Sequence, residues 1–289
     1  MLLLGLAVAA AAVPLAAAAA KLATAQKEQG TSRFLQQLSD LGLWSGVVAC
    51  SDSAEDEPYT AAFGTASYEL DVPMSPQLRM PIASNTKLMT SVALHQLQQQ
   101  GLLNISSPAA DYIEPADFGM EGRWCPRVHG APAGSPCEQP TLHQLLTHTS
   151  GLWDSQSCMT PESMAVYEEW QRPHCLGAKP GNYSWIIAEV SGQTPAVLTL
   201  ANWTLQQPLA AKPGQQYSYT NDAFWLLTYI IEKVSNQTLG DYFRTAIFEP
   251  AGLKSTFYDL SLGQGREVHR QFVWNGGYTT PIAVSAGEC

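Results

Sequence analysis

Ser84 and Lys87 are two polar residues whose types and spacing can carry out acyl transfer. They stand three positions apart in the segment SNTK, directly before a run with helical periodicity. Residues three apart on a helix are neighbours on one face, so the lysine amine can take or share the proton of the serine hydroxyl. The start of a helix also favours developing negative charge. The alternative is an ordinary helix start that Ser84 caps.

A second polar pair, Tyr219 and Asn221, lies in the segment YTN before another apolar helical run. The phenol can relay a proton at Ser84, and the carboxamide can hold the lysine head group or a substrate carbonyl. Tyr217 competes for the role of the phenol, but it does not stand two residues before the asparagine. The alternative is a tyrosine at the edge of the core and an asparagine that caps the next helix.

The elements that must position these residues can be predicted from periodicity. Residues 31–41 favour a short amphipathic helix, and residues 43–51 and 57–70 favour a β-hairpin whose strands are split by the acidic turn 53–57. Prolines at 73, 76 and 81 indicate an extended crossing segment. The helix after Ser84 is predicted to end at Gly101. Its apolar face is predicted to hold Leu88, Met89, Val92, Ala93 and Leu97.

Residues 104–215 differ in character from the flanking sequence, with many of the Pro, Trp and Cys residues and few strand patterns. This region is predicted to be a helical, loop-rich lobe inserted into a sheet domain. Within it, residues 141–152 begin as a helix with Thr141 as its cap, and the helix breaks at Gly151. Residues 223–247 resume helical periodicity, and Gly276-Gly277 indicates a turn near the end.

Composition and charge exclude some classes of protein. The 289 residues are 45% hydrophobic and 14% charged, which predicts a packed core in one large domain or in a domain with an inserted lobe. The formal net charge is −10, and the 15 Lys and Arg residues are scattered. Nucleic-acid binding is therefore not expected, because it depends on neutralising phosphates with clustered basic residues.

Three features of the sequence predict export. The first twenty residues are apolar, and small residues precede Lys21 and Gln26, so residues 1–25 are predicted to be a signal peptide; the alternative is an uncleaved membrane anchor. N-glycosylation sequons begin at Asn104, Asn182, Asn202 and Asn236. Six cysteines allow fifteen pairings, of which Cys125–Cys137 and Cys158–Cys175 are the two that we predict.

Together, these segments resemble the serine β-lactamase-related family, which includes class C β-lactamases, penicillin-binding-protein-like D-peptidases and related esterases. WSGVVAC is similar to the first strand of the family, and MPIASNTKLMTSVALHQLQQQGLL is similar to its nucleophile helix. TLHQLLTHTSGL and KPGQQYSYTNDAFWLLTYIIEKV match two further characteristic segments. The resemblance implies an α/β (α+β) fold, with an antiparallel sheet flanked by helices and a helical lobe, over residues 31–289.

The resemblance also implies a role for each polar residue. Ser84 would be the acylated nucleophile, assisted by Lys87; Tyr219 would be the general base and then the general acid. Asn221 would orient the lysine and the substrate amide, whereas His148 in THTSG would belong to the scaffold. The implied enzyme is a secreted serine hydrolase for small esters, amides, D-amino-acid peptides or β-lactams. The resemblance implies no metal or organic cofactor. The sequence indicates no oligomeric state. If the leader is cleaved, no membrane partner is expected.

The third motif of the family, a K-T-G or H-x-G triplet on a late strand, is not found. The K-P-G triplets at 179–181 and 212–214 precede Tyr219, and the W-x-G triplet at 274–276 comes early for that strand. The chain therefore resembles an amino-terminal portion of the fold. Three explanations stay open: an incomplete reading frame, a shortened relative that binds a ligand without turnover, or an active variant with a substitute third motif.

Overall fold

The structure is a computed structural model that describes residues 30–51, 58–78, 82–155, 167–174 and 196–258 and the short strands 271–272 and 281–282. The predicted signal peptide, the Cys158–Cys175 pair, Asn182 and the turn at 276–277 lie outside these residues. The chain divides into two compact units. The first comprises residues 1–79 and 270–281 with Cys289, and the second comprises residues 80–269 and 282–288.

The described residues of the first unit form one helix and the predicted hairpin. Helix α1 spans residues 30–40, which confirms the predicted helix, although Phe34 on its apolar side is 59% exposed. Strands β1 (Gly46–Cys50) and β2 (Tyr59–Phe63) pair antiparallel, with Gly46 opposite Phe63 and Cys50 opposite Tyr59. Two shorter strands, β3 (Thr65–Ser67) and β4 (Val72–Pro73), form a second antiparallel pair. Two short strands described near the end of the chain, β5 (Gln271–Phe272) and β6 (Pro281–Ile282), pair with each other.

Helix α2 (Thr86–Gln99) is central to the second unit and follows a single 3-10 turn, Ala83–Asn85. It ends before Gly101, whose φ of +73° turns the chain away as predicted. Its buried residues are Thr90, Ala93, Leu94 and Leu97. The predicted apolar face was therefore wrong at one end, because Leu88 is 63% exposed. The buried stripe is narrower than the run of apolar residues in the sequence.

The run at 223–247 forms two helices where the sequence had suggested continuous periodicity. The first of them, α5 (Asp222–Ser235), ends at Asn236, which has a left-handed backbone with φ 54°. Asparagine tolerates this conformation better than most residues, and it stops the helix. Helix α6 (Leu239–Phe243) follows, capped by Thr238 and continued by a π turn, Arg244–Phe248.

The region between α2 and α5 contains the short helices α3 (Leu142–Leu146) and α4 (Ala196–Leu205) and the 3-10 turns Ala109–Asp111, Pro115–Phe118 and Arg172–His174. Thr141 caps α3 through a full capping box with Gln144, as expected for the cap. The helix ends at Leu146, earlier than Gly151. The predicted Cys125–Cys137 disulfide is present. That residues 104–215 form an inserted lobe stays a prediction.

One hydrophobic core joins the helices of the second unit. Helix α5 packs against α4, α2 and α3, and its residues Leu226, Leu227, Ile230 and Ile231 are fully buried. Leu94, Leu97, Leu142 and Leu145 belong to the same cluster. The core therefore fixes the amino-terminal ends of α2 and α5 relative to each other, which positions the two polar segments. Among the described residues, no helix is long and apolar enough to cross a lipid bilayer.

Candidate active site

The structure brings the four predicted site residues together at the start of α2 and α5. The Ser84 hydroxyl lies 2.8 Å from the Tyr219 hydroxyl, although 135 positions separate them in the chain. Lys87 Nζ lies 3.3 Å from Ser84 Oγ and donates to Asn221 Oδ1 at 2.7 Å. Ser84 is exposed and Lys87 is half-buried. The serine hydroxyl thus faces a phenol and an amine at hydrogen-bonding distance.

Ser84 and Asn221 are not the capping residues that the alternative interpretation required. Ser84 lies in the 3-10 turn before α2, and no side chain caps α2. Asn221 occupies the N-cap position of α5, yet its side chain makes no capping hydrogen bond either. Their polar atoms are directed instead at Tyr219 and Lys87. The start of each helix thus presents a side chain to the site.

Ala83, directly before Ser84, has a left-handed backbone with φ 45°. Such a conformation is uncommon for a residue with a Cβ atom and costs of order 1–3 kcal/mol. It occurs at the single turn that places Ser84 opposite Tyr219. The backbone strain is therefore located at the residue that sets the direction of the serine hydroxyl.

The surroundings of Tyr219 favour its ionised form. Burial acts to raise its pKa, but the hydrogen bonds to Lys87 and Ser84 and the positive charge of Lys87 outweigh this effect, so the pKa is lowered. Lys87 Nζ also lies 4.9 Å from the centre of the Tyr219 ring and 5.2 Å from that of Phe224. A cation placed over these rings is held by their negative faces. A larger share of Tyr219 than of an ordinary phenol is therefore in the phenolate form, which can accept a proton.

His148 supports the loop that carries Tyr219. Its Nδ1 accepts a hydrogen bond from the Thr220 backbone N–H at 3.2 Å, and its carbonyl oxygen accepts from Ser218. Its ring lies 4.5 Å from that of Tyr219. Burial, followed by the charge of Lys87, lowers the pKa of His148, so the neutral ring is favoured. No hydrogen bond joins His148 to Ser84, both of which are described, so the structure holds no Ser-His pair here.

Asp154 and Asp222 are two buried carboxylates beside the site that sequence reasoning missed. Asp154 is 7% exposed and accepts hydrogen bonds from the backbone and side-chain nitrogens of Asn221, at 2.9 and 3.3 Å. Asp222 is fully buried and accepts from the Ser155 backbone and hydroxyl. Burial raises the pKa of Asp222 to about 7. No spacing or motif in the sequence marks either residue: Asp154 follows Trp153 in a loop, and Asp222 stands between Asn221 and Ala223 at a helix start.

A cavity of about 450 Å³ opens beside Ser84. Ser84, Lys87 and Asn221 line it, together with uncharged side chains of α2, α5 and α6 and Tyr258. Lys87 is the single charged group among the lining residues. The described residues contain no cluster of three or more His, Cys, Asp or Glu side chains that could hold a metal ion.

The fold and this arrangement define the class of protein, and comparison with known proteins agrees. The family described as Beta-lactamase matches residues 41–280, so the chain belongs to the β-lactamase family. Penicillin-binding protein 4* of Bacillus subtilis is 24% identical over 84% of the chain. D-alanyl-D-alanine-carboxypeptidase/endopeptidase AmpH of Escherichia coli K12 is 32% identical over 65% of it.

The solved structures share the fold. The crystal structure of a penicillin-binding protein from Bacillus halodurans superimposes with a TM-score of 0.56 over 78% of this chain and 57% of that one, at 24% identity. The mixed architecture of helices and small antiparallel sheets is thus that of the penicillin-binding proteins, as the sequence predicted. The chain spans less than half the length of the curated relatives it matches, 44% of the Bacillus subtilis protein and 38% of AmpH.

Proposed function

We propose that the protein is a serine hydrolase that acts through an acyl-enzyme on Ser84. The observation that carries this proposal is the contact of Ser84 Oγ with the Tyr219 hydroxyl at 2.8 Å and with Lys87 Nζ at 3.3 Å. A serine hydroxyl is a weak nucleophile until a neighbouring base takes its proton. Tyr219, whose pKa is lowered by its hydrogen bonds and by Lys87 despite its partial burial, supplies that base.

The reaction takes two balanced steps. In the first, Ser84 Oγ attacks the acyl carbon, its proton passes to Tyr219, and Tyr219 then returns a proton to the departing amine or alkoxide. In the second, a water molecule gives a proton to Tyr219 and attacks the acyl-serine, and Ser84 leaves with that proton as the acid is released. Lys87 stabilises the phenolate of Tyr219 with its positive charge, and Asn221 holds the Lys87 head group.

We infer that the substrates are small esters, amides, D-amino-acid peptides or β-lactams. The names of two relatives support this inference, since one is a penicillin-binding protein and the other a D-alanyl-D-alanine-carboxypeptidase/endopeptidase. The cavity at Ser84, about 450 Å³, is within the usual range for small-molecule sites. The alternative is that this protein is a family member that binds such a compound without turnover, because the third motif is not found in the sequence.

Chemical labelling tests this function. A fluorophosphonate that forms an irreversible bond with activated serines should label the wild-type protein on the Ser84 peptide, as read by mass spectrometry. Ser84→Ala should abolish the label, whereas Ser91→Ala, on the same helix, should keep it. Absence of label from folded wild-type protein would contradict the enzyme function and favour a binding role. Label that persists in Ser84→Ala would place the nucleophile elsewhere.

We also propose that the protein is secreted and carries N-linked glycans, with a membrane-anchored form as the alternative if the leader is not cleaved. The sequons at Asn104 and Asn236 begin at exposed asparagines. The sequon at Asn202 instead includes Thr204, which is fully buried and donates to the Leu200 carbonyl. In a eukaryotic secretory host, Asn104→Gln and Asn236→Gln should each reduce the glycan mass, whereas Asn202→Gln should not. Intracellular, unglycosylated protein would contradict the proposal.

A further inference from the structure

The side-chain amide of Asn221 makes contacts of opposite polarity on its two sides. Its oxygen accepts from Lys87 Nζ at 2.7 Å, and its nitrogen donates to Asp154 Oδ1 at 3.3 Å. An asparagine amide can be turned by half a rotation with little change in shape, which exchanges oxygen and nitrogen. In the turned form, N–H groups would face a lysine that offers donors only, and an oxygen would face a carboxylate that offers acceptors only. The two neighbours therefore select one orientation.

Asp154 is itself held in place by the hydrogen bonds around it. The same Oδ1 atom accepts a hydrogen bond from the Asn221 backbone N–H at 2.9 Å. This second bond fixes the position of the Asp154 carboxylate relative to Asn221. Segments 153–155 and 220–222 are joined on either side of this contact: Thr220 donates to the Trp153 carbonyl, and Ser155 donates to Asp222. Asp154 as a whole residue is 7% exposed, which limits competition from water.

We propose that Asp154 is a positioning residue that fixes the orientation of the Asn221 amide, so that the amide oxygen holds Lys87 beside Ser84. This inference rests on the proposed function, because it assigns Asp154 a part in the acylation of Ser84. It explains why a buried carboxylate accepts one hydrogen bond from the neutral side-chain amide of Asn221 and a second from the backbone N–H of the same residue.

A purely structural role for Asp154 makes a different prediction. Loss of a structural contact lowers the fraction of protein that folds, so fewer molecules react, each at the normal rate. Loss of amide orientation leaves the fraction that reacts unchanged and slows each molecule. The amplitude of Ser84 labelling and its rate constant therefore separate the two roles.

The experiment is a double-mutant cycle on the rate of Ser84 labelling by the fluorophosphonate. Asp154→Asn keeps the size of the side chain but lets either end of the Asn221 amide pair with it. We expect a rate about tenfold lower at full amplitude, because a neutral carboxamide holds the Asn221 amide less firmly than a carboxylate does. Asn221→Ala should also slow labelling, and adding Asp154→Asn to it should cause no further decrease. Asp111→Asn, an exposed carboxylate paired with Arg123, is the matched control and should label at the wild-type rate.

The outcomes distinguish the failure of this inference from that of the proposed function. If the wild type does not label, the proposed function fails. If the wild type labels and Asp154→Asn labels equally fast, or if the effects of the two substitutions multiply, Asp154 does not act through Asn221. Reduced amplitude at the wild-type rate shows a structural role and overturns the inference.

A second measurement uses the wild-type protein and does not depend on folding of a variant or on labelling. In the nuclear magnetic resonance spectrum, one of the two Asn221 Nδ2 protons should exchange with water at least about tenfold more slowly than the side-chain amide protons of exposed Asn236. Equal, fast exchange of both Asn221 protons would show that Asp154 does not hold the amide and would overturn the inference.

Discussion

Replacing Tyr219 by phenylalanine removes one oxygen atom from the site and leaves the ring in place. That oxygen is 2.8 Å from Ser84 Oγ and is the base in the proposed reaction. The ring contacts that hold Lys87, 4.9 Å from the ring centre, and His148, 4.5 Å away, do not need the hydroxyl. Tyr219→Phe therefore isolates proton transfer from the packing of the site.

The structure gives the expected magnitudes of two separate effects. A positioned general base contributes about 10²–10⁴-fold to a rate, which corresponds to roughly 3–5 kcal/mol of the barrier to acylation. Tyr219 is 40% exposed, so the hydrogen bond of its hydroxyl is partly open to water. Loss of this hydroxyl should therefore lower the free energy of unfolding by only about 1 kcal/mol or less. Acylation should thus fall by about two orders of magnitude or more in a protein that remains folded.

The assay is single-turnover acylation by a chromogenic ester or β-lactam, with folding followed by urea denaturation. Tyr217→Phe is the matched control: its side chain is 67% exposed, its ring contacts His148, and it loses the same oxygen. The control should acylate at the wild-type rate. A Tyr219→Phe protein that is folded and acylates within about threefold of the wild type would refute the assignment of Tyr219 as the base.

Three further predictions concern stability. Burial raises the pKa of Asp222 to about 7, so the folded protein holds the carboxyl proton more tightly than the unfolded chain does. The free energy of unfolding should therefore decrease as the pH rises from about 4 to about 7. Asp222→Asn should flatten that fall in thermal melts, and an unchanged slope would contradict it. Replacing Cys125 and Cys137 by serine should lower the free energy of unfolding by about 3 kcal/mol, since the disulfide closes a short loop; a change near zero in urea titrations would count against this. Gly151→Ala, whose Cβ would clash with the backbone carbonyl oxygen of Ala211, should destabilise the protein more than Gly119→Ala, whose Cβ would meet no atom within 4 Å; equal midpoints would exclude the clash.

Local patterns in the sequence predicted the elements that position the site. The hairpin of β1 and β2 followed from β-branched residues on either side of an acidic turn, and the cap of α3 followed from Thr141. Leu88 was wrongly placed in the core because periodicity shows which residues are apolar, not how wide a stripe the neighbouring helices cover. The helical periodicity at 223–247 is confirmed, but the apolar period does not show the end of α5 at Asn236, because it carries no sign of the left-handed backbone there.

The four polar residues of the candidate site could be proposed from the sequence because their types and spacing form motifs, and the structure brings them into contact. Asp154 and Asp222 could not, because each owes its role to a contact across the fold. Asp154 lies in a loop without periodicity, 67 positions before the amide it holds, and Asp222 begins a helix where an acidic residue is ordinary. The distance between Ser84 and Tyr219 likewise depends on how α2 packs against α5, which no local pattern contains.

The most direct test of the central claim is a time course of intact mass with an activated acetyl ester. The wild-type protein should gain one acetyl group, located on the Ser84 peptide, and then lose it as water completes the reaction. Tyr219→Phe should slow both the gain and the loss, since the same phenol serves both steps. Folded wild-type protein that never gains the group, or that gains it on a residue other than Ser84, would contradict the account.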